Sequence, residues 1–129
     1  MTAPGSAKKI ITVGGEAVEL KPGRGPTGEC VMKPEIVAPS AGIMSTTVYG
    51  GGNGSQSLRY SYIKRSGTSM AAPMVSGAVA VLLGCDPTLS NKDVKMILKR
   101  SAVPLGIARE IQGWGRVNLK RMLEELQII

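Results

Sequence analysis

A serine lies where the chain passes from a flexible segment into an apolar one, within residues 67–77. Gly67 allows a sharp backbone turn, and Thr68 or Ser69 can cap the first turn of a helix that follows. At the positive end of a helix dipole, the hydroxyl of Ser69 is placed to act as a nucleophile, and nearby backbone N–H groups can stabilise an oxyanion. An isolated Gly-Thr-Ser is more often a simple helix cap, so these three residues alone predict only a helix that begins near Ser69.

The residues beyond the glycine turn favour the nucleophile. The run GTSMAAPMVSG resembles the serine motif GTSMAxPxVxG of the subtilisin-like serine proteases, in which the serine attacks the peptide carbonyl. Other segments are similar to motifs of the same family and follow its order: ITVGG at 11–15, RGPT at 24–27, KPEIVAPS at 33–40 and GWGRVN at 113–118. Because these motifs cover nearly the whole chain, it is identified as a member of that family.

The resemblance assigns roles to individual residues. It implies that Ser69 is the catalytic nucleophile and that Gly67 and Thr68 support the turn and the oxyanion. Two positions depart from the family pattern, since Ser40 stands where Gly is usual and Met74 where His is frequent. Neither position belongs to the family's catalytic triad, so the expected role of the serine is unaffected.

The chain has no histidine, although a serine hydroxyl needs a neighbouring base, which in this family is His. In subtilisin the triad order is Asp, His, Ser, with roughly 150 residues between the His and the Ser. Only 68 residues precede Ser69. The family's oxyanion Asn, roughly 65 residues before the serine, would fall at 2–4, where there is no Asn. We therefore expect residues 1–129 to be the C-terminal portion of a peptidase domain, with the Asp and His portion absent.

The segments around the motifs predict an α/β fold with a mostly parallel sheet, and the resemblance implies that this is the C-terminal part of a subtilisin-like fold. Runs of β-branched and apolar residues predict strands or extended segments at 9–14, 18–20, 36–38, 43–49 and 60–63. A strand that ends in the Gly67 turn would aim the hydroxyl of Ser69 outward at the carboxyl ends of parallel strands. The glycine-rich segment 50–56 is interpreted as a flexible loop bordering the substrate groove, since no Gly-Lys-Ser/Thr follows it.

Three helices are predicted after the turn. Residues 69–83 are apolar nearly all round, which indicates a buried helix enclosed by neighbouring layers. Two amphipathic helices follow, one capped by Ser90 with Asp93 completing a capping box, and one after the turn at 113–118. Trp114 is interpreted as a packing residue rather than a platform for substrate.

Composition limits the partners. The net charge of +7 could attract an anion, but the chain has one Trp, three Tyr and no Phe to stack on bases. The basic residues are spread along presumed helix faces, which favours solvated faces over a nucleic-acid site. The longest apolar run, residues 78–83, is too short to span a bilayer, so no membrane partner is expected.

Neither the cysteines nor the carboxylates suggest a metal site. Cys30 and Cys85 lack metal-ligand spacing, and we expect two packed free thiols. The carboxylates before the serine show no spacing that singles out an acid/base pair, and they are expected to be solvated: Glu16, Glu19, Glu29 and Glu35. No cofactor is evident. Calcium is allowed by the family resemblance, but no acidic cluster assigns a site for it.

The function implied is serine endopeptidase activity through an acyl-enzyme in the full-length protein, with this fragment inactive by itself. The expected partners are a protein or peptide substrate and the missing N-terminal portion of the same domain. One alternative is a fragment that docks or self-associates through an exposed sheet edge and apolar helix. Another is a degenerate homologue, a binding module in which Ser69 persists only as a helix cap.

Overall fold

Two small sheets and four helices are formed by residues 4–17, 31–47 and 62–127, the parts of the chain that this computed structural model describes. The strands are β1 (Val13–Gly15), β2 (Ile36–Ala38), β3 (Ile43–Thr46) and β4 (Tyr62–Arg65). The helices are α1 (Thr68–Cys85), α2 (Asn91–Ser101), α3 (Arg109–Gln112) and α4 (Leu119–Glu125). The strand expected at 18–20 and the loop expected at 50–56 lie outside the described residues.

The first sheet is parallel, as predicted. β1 pairs with β2 so that Val13 lies opposite Ile36 and Gly15 opposite Ala38. A third extended segment adds to the far edge of β2, where the Val37 N–H donates to the Gly115 carbonyl at 3.0 Å and the Val37 carbonyl accepts from Val117. All three residues of β2 are buried, which is typical of a parallel strand covered on both faces.

The second sheet corrects a prediction about the strand that leads to the serine. β4 runs antiparallel to β3, with Ile43 opposite Arg65, so it does not belong to the parallel sheet. The second edge of β2 is already occupied by 115–117, and β4 pairs with β3 instead. The serine nevertheless reaches the parallel sheet, because the turn after β4 is tied to the end of β2.

α1 packs against β1 and β2, but it is less enclosed than its composition predicted. Its buried residues form a single stripe at spacings of four, three and four: Ala71, Val75, Ala78 and Leu82. The expectation of a helix enclosed on all sides is wrong for this chain, since Met74 and Val81 are 40% and 45% exposed. The reason is that the described residues supply a packing layer on one side of α1 only.

The length of α1 also bears on the membrane expectation. Its 18 residues have a mean hydropathy of 1.6, so by length and composition α1 is the one helix among the described residues that is capable of crossing a bilayer. The sequence-based expectation rests on the apolar run at 78–83, which is much shorter than the helix that contains it. A single helix of this kind is weak evidence for a membrane segment, because the core helix of a soluble protein meets the same criteria.

α2 and α4 are the two predicted amphipathic helices, and they pack against each other. The Ser90 hydroxyl accepts from the Asp93 N–H at 3.3 Å and the Asp93 carboxylate accepts from the Ser90 N–H at 2.9 Å, which completes the expected capping box. α4 begins after Asn118, whose side chain accepts from the Arg121 N–H. Trp114 packs against the core, as predicted. The four-residue α3 was not predicted.

A buried ion cluster joins β2 to α2 and corrects the prediction for Glu35. The Glu35 carboxylate lies 2.6 Å from the Lys33 ammonium, which is fully buried, and 3.1 Å from that of Lys95. The second oxygen of Glu35 accepts from the Thr12 N–H at 2.7 Å. Lys95, expected on a solvated face, also donates to the carbonyl of Ile10. The cations and N–H groups around it explain how this carboxylate can be buried instead of solvated.

Candidate active site

Ser69 is the second residue of α1 and its side chain is exposed. The residue before the helix is Gly67, with φ 149° and ψ 158°. Only glycine adopts this region of backbone conformation without strain, so the sharp turn depends on Gly67. The expected capping by Thr68 or Ser69 is wrong, because no side chain caps the start of α1. The hydroxyl of Ser69 is therefore not committed to a capping bond.

The turn is attached to the end of the parallel sheet. The Gly67 N–H donates to the carbonyl of Ser40 at 2.7 Å, and Ser40 lies two residues beyond the last residue of β2. This bond places the start of α1 at the carboxyl ends of β1 and β2. Open α/β sheets bind their ligands at this edge, and the sequence predicted Ser69 there.

Two residues that sequence reasoning did not assign to the site hold this corner together. A Cβ added to Gly15 would lie 2.6 Å from the Ser40 hydroxyl oxygen and 3.4 Å from the Thr68 methyl group. Ser40 is buried, and its hydroxyl accepts from the Ala17 N–H at 3.2 Å. Gly15 thus allows the end of β1 to approach Ser40 and Thr68 closely. The sequence signal for this close approach is the pair Gly14-Gly15 at the end of a strand.

The first turn of α1 has backbone N–H groups without an acceptor among the described residues. The Met70 N–H is bonded to the Gly67 carbonyl at 2.9 Å, whereas the described residues provide no acceptor for the N–H groups of Thr68 and Ser69. The helix dipole adds partial positive charge at this end. The arrangement suits stabilisation of an oxyanion beside a serine hydroxyl.

The described residues contain neither a histidine to act as the base nor a side-chain cluster that would hold a metal ion. The chain has no histidine, and no described group of three or more Cys, Asp or Glu side chains is arranged to hold a metal ion. Calcium also takes backbone carbonyl, amide and water oxygens, so a calcium site stays an expectation of the family resemblance alone. Cys85 is exposed at the end of α1, which corrects the expectation of a packed thiol, and Cys30 lies outside the described residues.

Comparisons with known proteins agree with the motifs and the corner geometry. The model of the subtilase family matches residues 1–115, and the chain belongs to that family. An extracellular serine protease of Serratia marcescens is 45% identical over 69 residues, 52% of this chain. The serine protease AprX of Bacillus subtilis is 32% identical over 114 residues, 77% of this chain.

Solved structures show the same fold. The CspB protease of Clostridium perfringens superimposes with a TM-score of 0.78 at 32% identity, over 97% of this chain and 28% of CspB. Fervidolysin of Fervidobacterium pennivorans, a keratinolytic enzyme related to subtilisin, gives a TM-score of 0.70 at 25% identity over 95% of this chain and 20% of its own. The chain spans 7% of the Serratia protease and 26% of AprX, so it corresponds to a small part of each relative.

Proposed function

We propose that this chain carries the nucleophile of a serine endopeptidase, with Ser69 as the attacking residue. The observation that carries the proposal is the exposed hydroxyl of Ser69 at the start of α1, beside the carboxyl ends of β1 and β2, in a chain of the subtilase family. The named relatives are serine proteases, which supports a protein or peptide substrate.

In the proposed reaction the Ser69 oxygen attacks a peptide carbonyl carbon while a histidine takes the hydroxyl proton. The carbonyl oxygen becomes an oxyanion that the N–H groups at the start of α1 stabilise. The C–N bond then breaks, the amine leaves with the proton from the histidine, and water hydrolyses the acyl-enzyme. Because this chain has no histidine, the proposal requires that another polypeptide segment supply the His and its orienting Asp.

By itself the chain is proposed to be nearly inert. In subtilisin, removing the histidine lowers turnover on the order of a million-fold, and the residual rate comes from binding and the oxyanion hole. The oxyanion asparagine expected from the family is also proposed to lie on upstream polypeptide, which would lower the residual rate further.

The surface of α1 supports a docking partner. Large apolar side chains are exposed along it: Met74, Val81 and Leu83. An apolar cavity of about 360 Å³ lies between β1 and α1, with Ile11, Val13 and Val79 among its lining residues. The proposed occupant is the N-terminal portion of the same domain, because exposed apolar surface of this kind marks an interaction site and the chain spans only a small part of its relatives. The same face makes self-association the second candidate.

The test is hydrolysis of a peptide anilide by the chain alone and mixed with the upstream polypeptide. We expect hydrolysis only in the mixture, and Ser69→Ala should abolish it. Ser76→Ala, a serine on the same helix whose hydroxyl donates to the Ala72 carbonyl, is the matched control and should retain activity. Equal hydrolysis by wild type and Ser69→Ala would refute the proposal, as would no hydrolysis by a mixture that sedimentation shows to be associated. A chain whose mass rises with concentration in light scattering would support self-association.

A further inference from the structure

β1 is paired along one edge and open along the other. The Glu35 N–H donates to the Thr12 carbonyl at 3.0 Å, and the Glu16 N–H donates to the Ala38 carbonyl at 2.9 Å. The backbone groups of Thr12 and Glu16 thus point toward β2. Successive residues of a strand direct their backbone groups to opposite edges. The N–H and carbonyl groups of Val13 therefore point away from β2, and no described residue bonds to them.

This open edge lacks the features that normally keep a strand from pairing. Exposed strand edges in native proteins are protected by charged side chains, by proline or by bulges. Residues 11–15 are Ile-Thr-Val-Gly-Gly, with no charge and no proline among them. By the same alternation as in β1, Ile11 also directs its backbone groups to this edge. The unpaired groups of Ile11 and Val13 are therefore a template for another strand.

The apolar cavity of about 360 Å³ lies beside this strand. Ile11 and Val13 line it from the sheet, and α1 supplies the other lining residues: Ala72, Val75, Ser76, Val79, Ala80 and Leu83. A strand added to β1 would place every second side chain on the face that carries Ile11 and Val13, beneath α1. Its side chains would enter the cavity while its backbone pairs with β1. One extended segment thus satisfies both features.

The lining selects apolar side chains for the occupant. Every lining residue except Ser76 is apolar, and the Ser76 hydroxyl already donates to the Ala72 carbonyl. A charged side chain in the cavity would lose water without gaining a partner. Strands of parallel sheets that are covered on both faces are near-continuous apolar runs, as β2 is with Ile-Val-Ala. The expected occupant is therefore an extended apolar segment rich in β-branched residues.

Two sources could supply such a segment. A second copy of the chain carries the same net charge of +7, and two such copies repel each other. The chain spans 7% of the Serratia protease and 28% of CspB, so these relatives have much further polypeptide. We propose that the open edge of β1 accepts an extended apolar segment of the N-terminal portion of the same domain, which joins the parallel sheet as a further strand. The source of the segment rests on the proposed function, whereas the acceptor site rests on the edge and the cavity.

The test is hydrogen exchange of individual amides, followed by NMR, in the 129-residue chain alone and mixed with the upstream polypeptide. The Thr12 N–H is bonded to the Glu35 carboxylate at 2.7 Å and the Glu16 N–H to the Ala38 carbonyl, so both are protected in either sample. The Val13 N–H should exchange at least about tenfold more slowly in the mixture, measured relative to Thr12 and Glu16. Association that leaves this ratio unchanged would overturn the proposal.

A pair of variants tests whether the segment occupies the cavity. Ala80 lines the cavity and is exposed, so Ala80→Glu should fold and should place a charge where apolar side chains would dock. We expect the affinity for the upstream polypeptide, measured by calorimetry, to fall at least about tenfold. Met96→Glu adds the same charge at an exposed position of α2 and should change the affinity little. Equal affinities of the two folded variants would overturn the proposal, and the exchange measurement on the wild-type chain decides the matter if a variant does not fold.

The remaining outcomes separate this site from the proposed function. Ser69→Ala should leave the protection of Val13 unchanged, because the serine hydroxyl takes no part in strand pairing. An absence of hydrolysis with Val13 protected would count against the proposed function and not against the strand site. Protection of Val13 that appears in the chain alone as its concentration rises would identify a second copy as the occupant and overturn the assignment to the N-terminal portion. A mixture that does not associate would overturn it too.

Discussion

α1 and α2 follow one another in the chain, but they differ in their caps, in the charges of their end turns and in how much apolar surface they expose. α2 has a reciprocal capping box at Ser90, basic residues in its last turn and a clear apolar stripe. α1 has no side-chain cap, no charged residue in its first or last turn, and apolar side chains exposed on the faces away from its buried stripe. Helices that stabilise a fold satisfy local preferences, whereas departures concentrate at functional or partner-binding sites. Under the proposed function, the serine at the start of α1 and a partner for its surface would account for this contrast.

The largest effect on stability is expected from breaking the ion cluster that attaches α2 to Glu35. Glu35→Gln leaves two ammonium groups, Lys33 and Lys95, without their carboxylate, and Lys33 is 0% exposed. We expect the free energy of unfolding to fall by about 3 to 5 kcal/mol, measured by urea denaturation. Glu110→Gln is the solvent-exposed control and should change stability little. An equal, small change in both variants would show that the cluster does not anchor α2.

The one-sided packing of α1 is tested by two neighbouring leucines. Leu82 is 0% exposed and Leu83 is 36% exposed. Leu82→Ala should cost about 2 to 5 kcal/mol through the lost burial and the cavity left behind, whereas Leu83→Ala should cost less than about 1 kcal/mol. If a partner covers the outer face, Leu83→Ala should weaken that association more than it weakens folding. Similar unfolding costs for both variants would contradict the single buried stripe.

The turn before the serine should show an intermediate effect. Gly67→Ala places a side chain at φ 149°, and the expected loss is about 1 to 3 kcal/mol, from backbone strain since no atom lies close to the added carbon. Gly77→Ala, inside α1 with open space around it, should instead stabilise the chain by about 0.5 to 1 kcal/mol. Thermal unfolding of the two variants measures the difference. A neutral Gly67→Ala would mean that the turn tolerates another conformation.

The smallest effect is expected at the cap of α2. Ser90→Ala removes the hydroxyl that accepts from the Asp93 N–H, and stability should fall by about 1 kcal/mol. The Ser90 hydroxyl, and then its N–H, donate to the Asp93 carboxylate and lower the pKa of Asp93. This contribution is present above the ordinary carboxyl pKa and is lost as the pH falls through the lowered pKa, below about pH 4. Urea denaturation between pH 2 and 6 should therefore show a weaker acid dependence in Ser90→Ala, and an identical profile would contradict it.

The position of the serine could be predicted from the sequence because its signals are local. Gly67 and the apolar run that follows specify a turn and a helix start within a few residues, and the capping box of α2 is equally local. The pairing of β4 with β3 is not encoded in β4 itself, since it depends on which sheet edges are already occupied. The burial of Glu35 depends on Lys95, 60 residues away in the chain. The exposure of α1 depends on which helices and strands pack against it. The sequence of α1 alone does not reveal those neighbours.

The central claim is that Ser69 is a nucleophile whose base is supplied by another polypeptide segment. A serine-directed fluorophosphonate probe tests this claim most directly. The chain is treated alone and together with the upstream polypeptide, and the modified residue is identified by mass spectrometry. The account predicts a label on Ser69 in the mixture, little or none on the chain alone, and none on Ser69→Ala. An associated mixture in which Ser69 stays unlabelled, or carries no more label than other exposed serines, would contradict it.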